Sequence, residues 1–342
     1  MQNISKYSNS RPILAMALWD RTGNNLFQLA SGLAIVAHYQ FDLCLDRVYP
    51  AVSKIAPLVN MVPKTCSSDI MRRIKEGDVI SIYNSCCVFE DFYVQKGGKW
   101  QGNPEKWTKK IAIRLSLSDL FGHLRGKLGD LYHMRGYRES WRYLDLGPKE
   151  SRLQLQRPVW LSARERLEHL FPGGKHVAVH LRVGDASSPY FIYNFPGPNY
   201  FLDALQYFRR KWEKVNFLVF CDNPGWCKSQ SLFATKDVLI MEQDPNSKVN
   251  AVNDDLTMMS ACDGVITSIG TFGWWAGYFS FQNGGDVVYF KDIYNTKKFE
   301  MWGEIGSAED HFPPEWIGIE AQALDRQGGK VESLKGDVLH KQ

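Results

Sequence analysis

The sequence predicts an α/β protein made of two doubly wound domains facing each other across a cleft. The first spans residues 1–172 and the second residues 173–342. Three observations lead there. At 342 residues the chain is long for one hydrophobic core and comfortable for two. From Lys175 onward, short apolar runs alternate with helical patterns, the spacing that builds a parallel sheet with helices on both faces. Near the amino terminus a strand, a turn, a helix and a second strand form a βαβ unit of the same Rossmann-like kind.

The elements follow in order. Residues 1–11 are polar and expected to be loose. Pro12–Trp19 reads as a buried strand and Asp20–Asn25 as a turn, with Gly23 and Asn24 suited to positive φ. Leu26–Tyr39 is a helix with Leu26, Leu29, Leu33 and Val36 on one face, and Phe41–Leu45 is a second strand. Residues 46–100 are less periodic. Residues 100–170 carry helical patterns, Trp107–Leu117 and Ala163–Leu170 among them, with Lys109, Lys110 and Arg114 as a solvated helix face. Phe171-Pro-Gly-Gly174 punctuates the chain and marks the boundary. Strands are then expected at His176–Leu181, Asn216–Phe220, Val238–Glu242, Gly264–Thr267 and Asp286–Phe290. Helices are expected at Tyr200–Trp212, Pro224–Phe233, Asn253–Cys262 and Thr271–Phe279.

Composition narrows the function classes. Hydrophobic content of 44% and charged content of 23% are those of an ordinary globular protein. A net charge of +4 suits an anionic ligand and is too weak to argue for nucleic acid. No apolar run approaches the roughly 20 residues of a membrane helix. Seven cysteines leave at least one thiol unpaired, and spacings such as Cys86-Cys87 or Cys221…Cys227 match no zinc pattern. G-x-G-x-x-G, the P-loop, H-E-x-x-H and G-x-S-x-G are all absent, so the usual dinucleotide, NTPase, metalloprotease and hydrolase signatures fail. There is also no D-x-D pair, the usual device for holding a metal against a nucleotide-sugar diphosphate.

Two stretches carry chemistry. In Val265-Ile-Thr-Ser-Ile-Gly-Thr-Phe-Gly-Trp-Trp-Ala-Gly-Tyr-Phe-Ser280 a strand runs through a small-residue turn into an apolar helix. Helix-start N–H groups lack internal partners and the macrodipole favours negative charge there, so a phosphate fits, with Ser268 and Thr271 as hydroxyl donors. The same residues also read as a helix capped by Thr271 with nothing bound. The second stretch, His180-Leu-Arg-Val-Gly-Asp185, lies where another strand runs out, and Arg182 offers a fork of donors able to grip two phosphate oxygens. Alternatively, Arg182 and Asp185 close a turn as a local ion pair.

These stretches resemble a family. His-x-Arg-x-Gly-Asp is similar to the H-x-R-R-x-D signature of α-1,2-, α-1,6- and protein O-fucosyltransferases. Gly23-Asn-Asn-Leu-Phe-Gln28 resembles the G-N-Q-x-F-Q motif of α-1,2-fucosyltransferases, and Phe217-Leu-Val-Phe-Cys-Asp-Asn-Pro-Gly-Trp-Cys227 their V-F-S-D-D-x-x-W-C segment. Ile266–Phe279 resembles the animal form of their third motif, I-M-T-I-G-T-F-G-x-W-A-A-Y-L. Gly285-Asp286, Val288-Tyr289 and Pro314–Gly318 continue the similarity. The blocks lie in the family's order, whereas residues 50–170 contribute little. The chain is thus identified as a member of the galactoside α-1,2-fucosyltransferase family (glycosyltransferase family 11), animal type.

The resemblance implies a GT-B architecture, GDP-fucose as donor, inversion at the fucose anomeric carbon, and no metal or other cofactor. Arg182 would sit on the diphosphate, Ser268, Thr271 and Phe272 beside it, His180 and Asp222 near the guanine, and Gly23 and Asn24 opposite the fucose. Asp185 is the first candidate for the base and Asp20 the second, each with a structural reading as an ion-pair or turn partner. The acceptor would be the 2-hydroxyl of a β-galactoside-terminated glycan on a glycoprotein or glycolipid. Trp100, Trp107 and Trp141 are candidates to line that region, or core residues. Val183 departs from the signature's second Arg. That keeps open a weakened GDP-sugar-binding or glycan-binding protein of the same fold, or a different acceptor. Animal relatives imply a lumenal Golgi enzyme anchored in the membrane. No anchor is visible in this chain, so a soluble form is the alternative.

Overall fold

A computed structural model describes residues 11–46, 53, 56–84, 92–96, 113–118, 121, 129–184, 193–242, 251–298 and 307–323. The chain divides into two compact units, residues 1–53 with 61–153 and residues 54–60 with 154–342.

The first unit holds a six-stranded mixed sheet in the order β2-β1-β6-β3-β4-β5. β1 (Ile13–Met16), β2 (Asp42–Leu45), β6 (Leu131–Gly136) and β3 (Ile80–Asn84) are parallel. β4 (Phe92–Lys96) and β5 (Ile113–Leu115) add antiparallel edges. Helix α1 (Thr22–Tyr39) crosses from β1 to β2 and stops at Gln40, whose φ of 59° breaks the helical repeat. Helix α2 (Ser68–Glu76) is capped by the Ser67 hydroxyl accepting from the Ile70 N–H and ends on Gly77 at φ 83°. Leu14, Met16, Ile82, Tyr132, Met134 and Phe121 pack together in the core.

Two expectations are corrected here. The helical reading of Trp107–Leu117 fails over Ile113–Leu115, which pairs with β4 as an edge strand, so Arg114 lies on a strand and not on a helix face. Residues 107–112 lie outside the described residues. Residues 131–136, inside the stretch read as helical, form β6 between β1 and β3, where burial on both faces overrides local pattern.

The second unit carries six parallel strands in the order β12-β11-β10-β7-β8-β9. They are β7 (Lys175–Leu181), β8 (Val215–Cys221), β9 (Val238–Ile240), β10 (Gly264–Thr267), β11 (Asp286–Phe290) and β12 (Ile317–Ile319). The short helix α3 (Arg142–Leu146) belongs to the first unit; in the second, the short α6 (Pro224–Lys228) accompanies the longer α4 (Arg157–Leu170), α5 (Pro198–Lys211), α7 (Ala251–Ser260) and α8 (Thr271–Gln282). Helix α4, expected before the boundary at 172, packs with the second unit. Arg164 bonds the Ala261 carbonyl at 2.9 Å and the Asp263 carboxylate at 3.1 Å. Starting from β7, the strand order reverses between β7 and β10. In open α/β sheets ligands gather in that gap, outside the carboxyl ends of the strands. The corresponding reversal in the first unit falls between β1 and β6.

Candidate functional site

The gap between β7 and β10 is where His180, Arg182 and the turn at Ser268–Thr271 meet. Thr267 and His180 are register partners, and the ladder runs one step further as the Ser268 N–H donates to the His180 carbonyl at 3.2 Å. The chains then part. The Arg182 N–H donates to the Ser268 Oγ at 3.3 Å, tying the two loops together just beyond the sheet.

Gly270 is the N-cap of α8, with φ 90°, a conformation that side-chain-bearing residues rarely adopt. A Cβ placed there would lie 2.6 Å from Arg182 Nη1 and 3.6 Å from its Cζ. The guanidinium therefore lies across Gly270, against the start of α8. The N-cap glycine itself offers no side-chain oxygen to the first N–H groups of the helix. The reading of Thr271 as the N-cap is thereby corrected: Thr271 is the first helical residue, and the residue before it is a glycine at a φ that side-chain-bearing residues rarely adopt.

His180 packs on the same turn. Its Nδ1 would lie 2.3 Å from a Cβ at Gly273, and its ring sits 5.9 Å from that of Phe272. Nδ1 is buried with no hydrogen-bond partner. Burial, reinforced by the Arg182 charge, pushes the imidazole down to about 3. At neutral pH the tip carries the charge of Arg182 with an uncharged ring beside it. Ser268 and Thr271 are buried and Phe272 is half-buried.

Asp222 follows the last residue of β8 and reaches the loop after β7. Its Oδ1 accepts from the Val183 N–H at 2.7 Å, and both oxygens accept from the Gly184 N–H at 3.1 and 3.0 Å. The carboxylate clamps the loop after β7, and Gly184 leaves it room, since a Cβ there would lie 3.1 Å from Oδ2. Val183 is buried, so the position where the signature has a second Arg turns inward. Asp185 lies outside the described residues, as do Trp100 and Trp107. Trp141 is half-buried, with the Arg142 guanidinium 5.9 Å from its ring.

In the first unit, Gly23 and Asn24 begin α1 at the β1–β6 gap. Asn24 Nδ2 donates to Asp20 Oδ2 at 2.9 Å, and the Tyr137 hydroxyl donates to the same oxygen at 3.3 Å. Asp20 is exposed at φ 75°. Two neighbours in the motif, Asn25 and Gln28, were not singled out as functional and hold the loop. Asn25 Nδ2 donates to the Asp20 and Arg21 carbonyls, and Gln28 Oε1 accepts from the Trp19 N–H. Trp19 stacks on Tyr137 at 4.7 Å. The signal for their role is local: polar residues at fixed offsets inside an otherwise apolar helix face.

Two Rossmann-like units, one of them ending in a cation laid over a helix start, define a GT-B-type protein. Comparisons agree. Residues 162–320 match the profile described as Glycosyl transferase family 11. Galactoside alpha-(1,2)-fucosyltransferase 1 of Bos taurus is 30% identical over 148 residues, 42% of this chain and 39% of that relative. Galactoside alpha-(1,2)-fucosyltransferase 2 of Sus scrofa is 27% identical over 207 residues, 56% of this chain and 57% of the relative. The chain thus spans about half the length of these relatives or less. Galactoside alpha-(1,2)-fucosyltransferase 1 of Alouatta belzebul is 26% identical over 88% of this chain. The crystal structure of POFUT1 in its apo form shares the fold, with a TM-score of 0.51 and 12% identity over 84% of this chain and 99% of that one. Over residues 162–320 the chain is similar to glycosyl transferase family 11.

Proposed function

We propose that this chain is an inverting, metal-independent fucosyltransferase that moves L-fucose from GDP-fucose to the 2-hydroxyl of a terminal β-galactoside. The observation that carries the reading is Arg182. Its guanidinium lies across Gly270, between the ends of β7 and β10 and against the start of α8. That is a built receptor for a diphosphate. Charge on the departing GDP grows as the glycosidic bond breaks, so a fixed guanidinium and helix-start N–H groups stabilise the transition state more than the ground state. The neutral His180 adds no second cation beside Arg182. The names of the family relatives support the galactoside acceptor. Inversion requires a base for the acceptor proton. Asp185 and Asp20 are the candidates, and Asp20 is exposed and oriented by Asn24 and Tyr137.

The experiment is to incubate the protein with GDP-fucose and lactose in EDTA, follow GDP release and determine the product linkage. Turnover is expected, with Arg182→Ala lowering kcat/KM by about 10³-fold. GDP binding without transfer to any galactoside would support the weakened GDP-sugar-binding reading, toward which Val183 points. Indifference to GDP would overturn both. For location we propose the Golgi lumen. The disulfides Cys44–Cys66 and Cys221–Cys227 support an oxidising compartment, and a fluorescent fusion found in the cytosol would refute it.

A further inference from the structure

We infer that the Cys221–Cys227 disulfide is a positioning device for donor binding, acting through Asp222. The inference rests on the donor site proposed above. Cys221 is the last residue of β8 and Cys227 lies in α6, and their bond closes a ring over residues 221–227. Inside that ring sits Asp222, whose carboxylate is the described hydrogen-bond acceptor for the adjacent N–H groups of Val183 and Gly184. Next to it, Asn223 caps α6 by accepting from the Trp226 N–H at 3.1 Å. The covalent ring therefore fixes a strand end, a carboxylate and a helix start as one piece.

The consequence runs to Arg182. The loop carrying it is held at three adjacent residues: Arg182 N–H on Ser268 Oγ, then Val183 and Gly184 N–H on Asp222. Two of those three anchors depend on where the Asp222 carboxylate stands. Asp222 is itself exposed. The ring restrains the backbone that carries it, adding to the 3.4 Å bond from its N–H to the Leu181 carbonyl. Opening the ring lets Asp222 and α6 sample other positions, and the loop then has to be ordered each time a diphosphate binds, at a cost in affinity. The similar family segment V-F-S-D-D-x-x-W-C has Ser where this chain has Cys221, so a serine there is sterically acceptable and the bond is an addition to the motif.

The test compares Cys221→Ser with Cys44→Ser/Cys66→Ser, which removes the disulfide at the end of β2. Two quantities are measured: the GDP dissociation constant by calorimetry, and amide exchange at Val183 and Gly184 in the ligand-free protein. Cys221→Ser is expected to bind GDP about tenfold more weakly and to exchange both amides faster. Cys44→Ser/Cys66→Ser should lower only the thermal midpoint. Unchanged GDP affinity and unchanged exchange in Cys221→Ser would overturn the inference while leaving the donor site standing. If the unaltered protein ignores GDP, the donor site falls, and the exchange at Val183 and Gly184 still decides whether the ring holds the loop. Should Cys221→Ser fail to fold, a phosphine reductant applied to Cys44→Ser/Cys66→Ser, converting Cys221–Cys227 to two thiols, reads the same two quantities.

Discussion

At the tip of the second sheet a carboxylate, Asp222, holds the loop after β7 by two backbone N–H groups. At the tip of the first, two amides, Asn25 and Gln28, hold the loop after β1. Both devices satisfy loop backbone that the sheet leaves unpaired. They differ in where charge ends up. Arg182 lies over the start of α8, partly exposed. Arg138, just beyond β6, is fully buried, with Nε on Ser31 Oγ at 2.8 Å. Neither of its terminal nitrogens has a hydrogen-bond partner. Position at a sheet gap is therefore not enough to make an anion site. In the second unit the cation also lies against a helix start and stays partly exposed.

The sharpest way to break that comparison is Gly270→Ala. The substitution forces a residue with a side chain to φ 90° and sets its Cβ against Arg182 Nη1. Backbone strain alone costs about 1–3 kcal/mol, and the displaced guanidinium should lower kcat/KM for GDP-fucose by about 10²-fold or more. Full activity would mean the guanidinium works from some other position. A smaller effect of opposite sign is expected at the first tip. A buried cation whose terminal donors are unpartnered is costly, and burial already pulls Arg138 down to about 10. Arg138→Met should leave stability unchanged or raise it by about 1–2 kcal/mol in urea unfolding. A loss of several kcal/mol would show that the guanidinium is satisfied in solution by ordered water.

The same contrast explains what could be read from the sequence. Five of the six strands of the second sheet are legible, because the central parallel strands are buried on both faces and show as apolar runs between helices; the short edge strand β12, with its middle residue exposed, is not. The first sheet was not. β6 carries His133 and Arg135 in its centre, and His133 is tolerated only because Asp46 meets its Nε2 at 2.6 Å, a partner 87 residues away. Arg182 and the turn at Ser268–Thr271 were visible as strand-end polar residues before a helix. The Asp222 clamp was not visible, since it depends on two backbone N–H groups brought alongside by strand pairing. The sequence shows Gly270 and Gly273 only as members of a small-residue turn, whereas the structure seats Arg182 and His180 against them.

The smallest expected effect is a pH slope at the second tip. Burial first, and Arg182 second, hold His180 in its neutral form down to about 3, against an ordinary value of 6.5. In the unfolded chain the imidazole takes up a proton as the pH falls through 6.5, whereas in the folded chain it does not until near 3. The stability this group contributes is therefore present above about 6.5 and is lost as the pH falls toward 3. A fully developed one-proton difference gives a slope of about 1.4 kcal/mol per pH unit. His180→Gln removes that proton, so urea unfolding between pH 7 and pH 5 should lose less stability in the variant than in the parent. The comparison of slopes is insensitive to any constant packing loss from the substitution. Parallel curves would show that the imidazole is hydrated rather than seated on Gly273, and that it adds a second positive charge beside Arg182 at acidic pH.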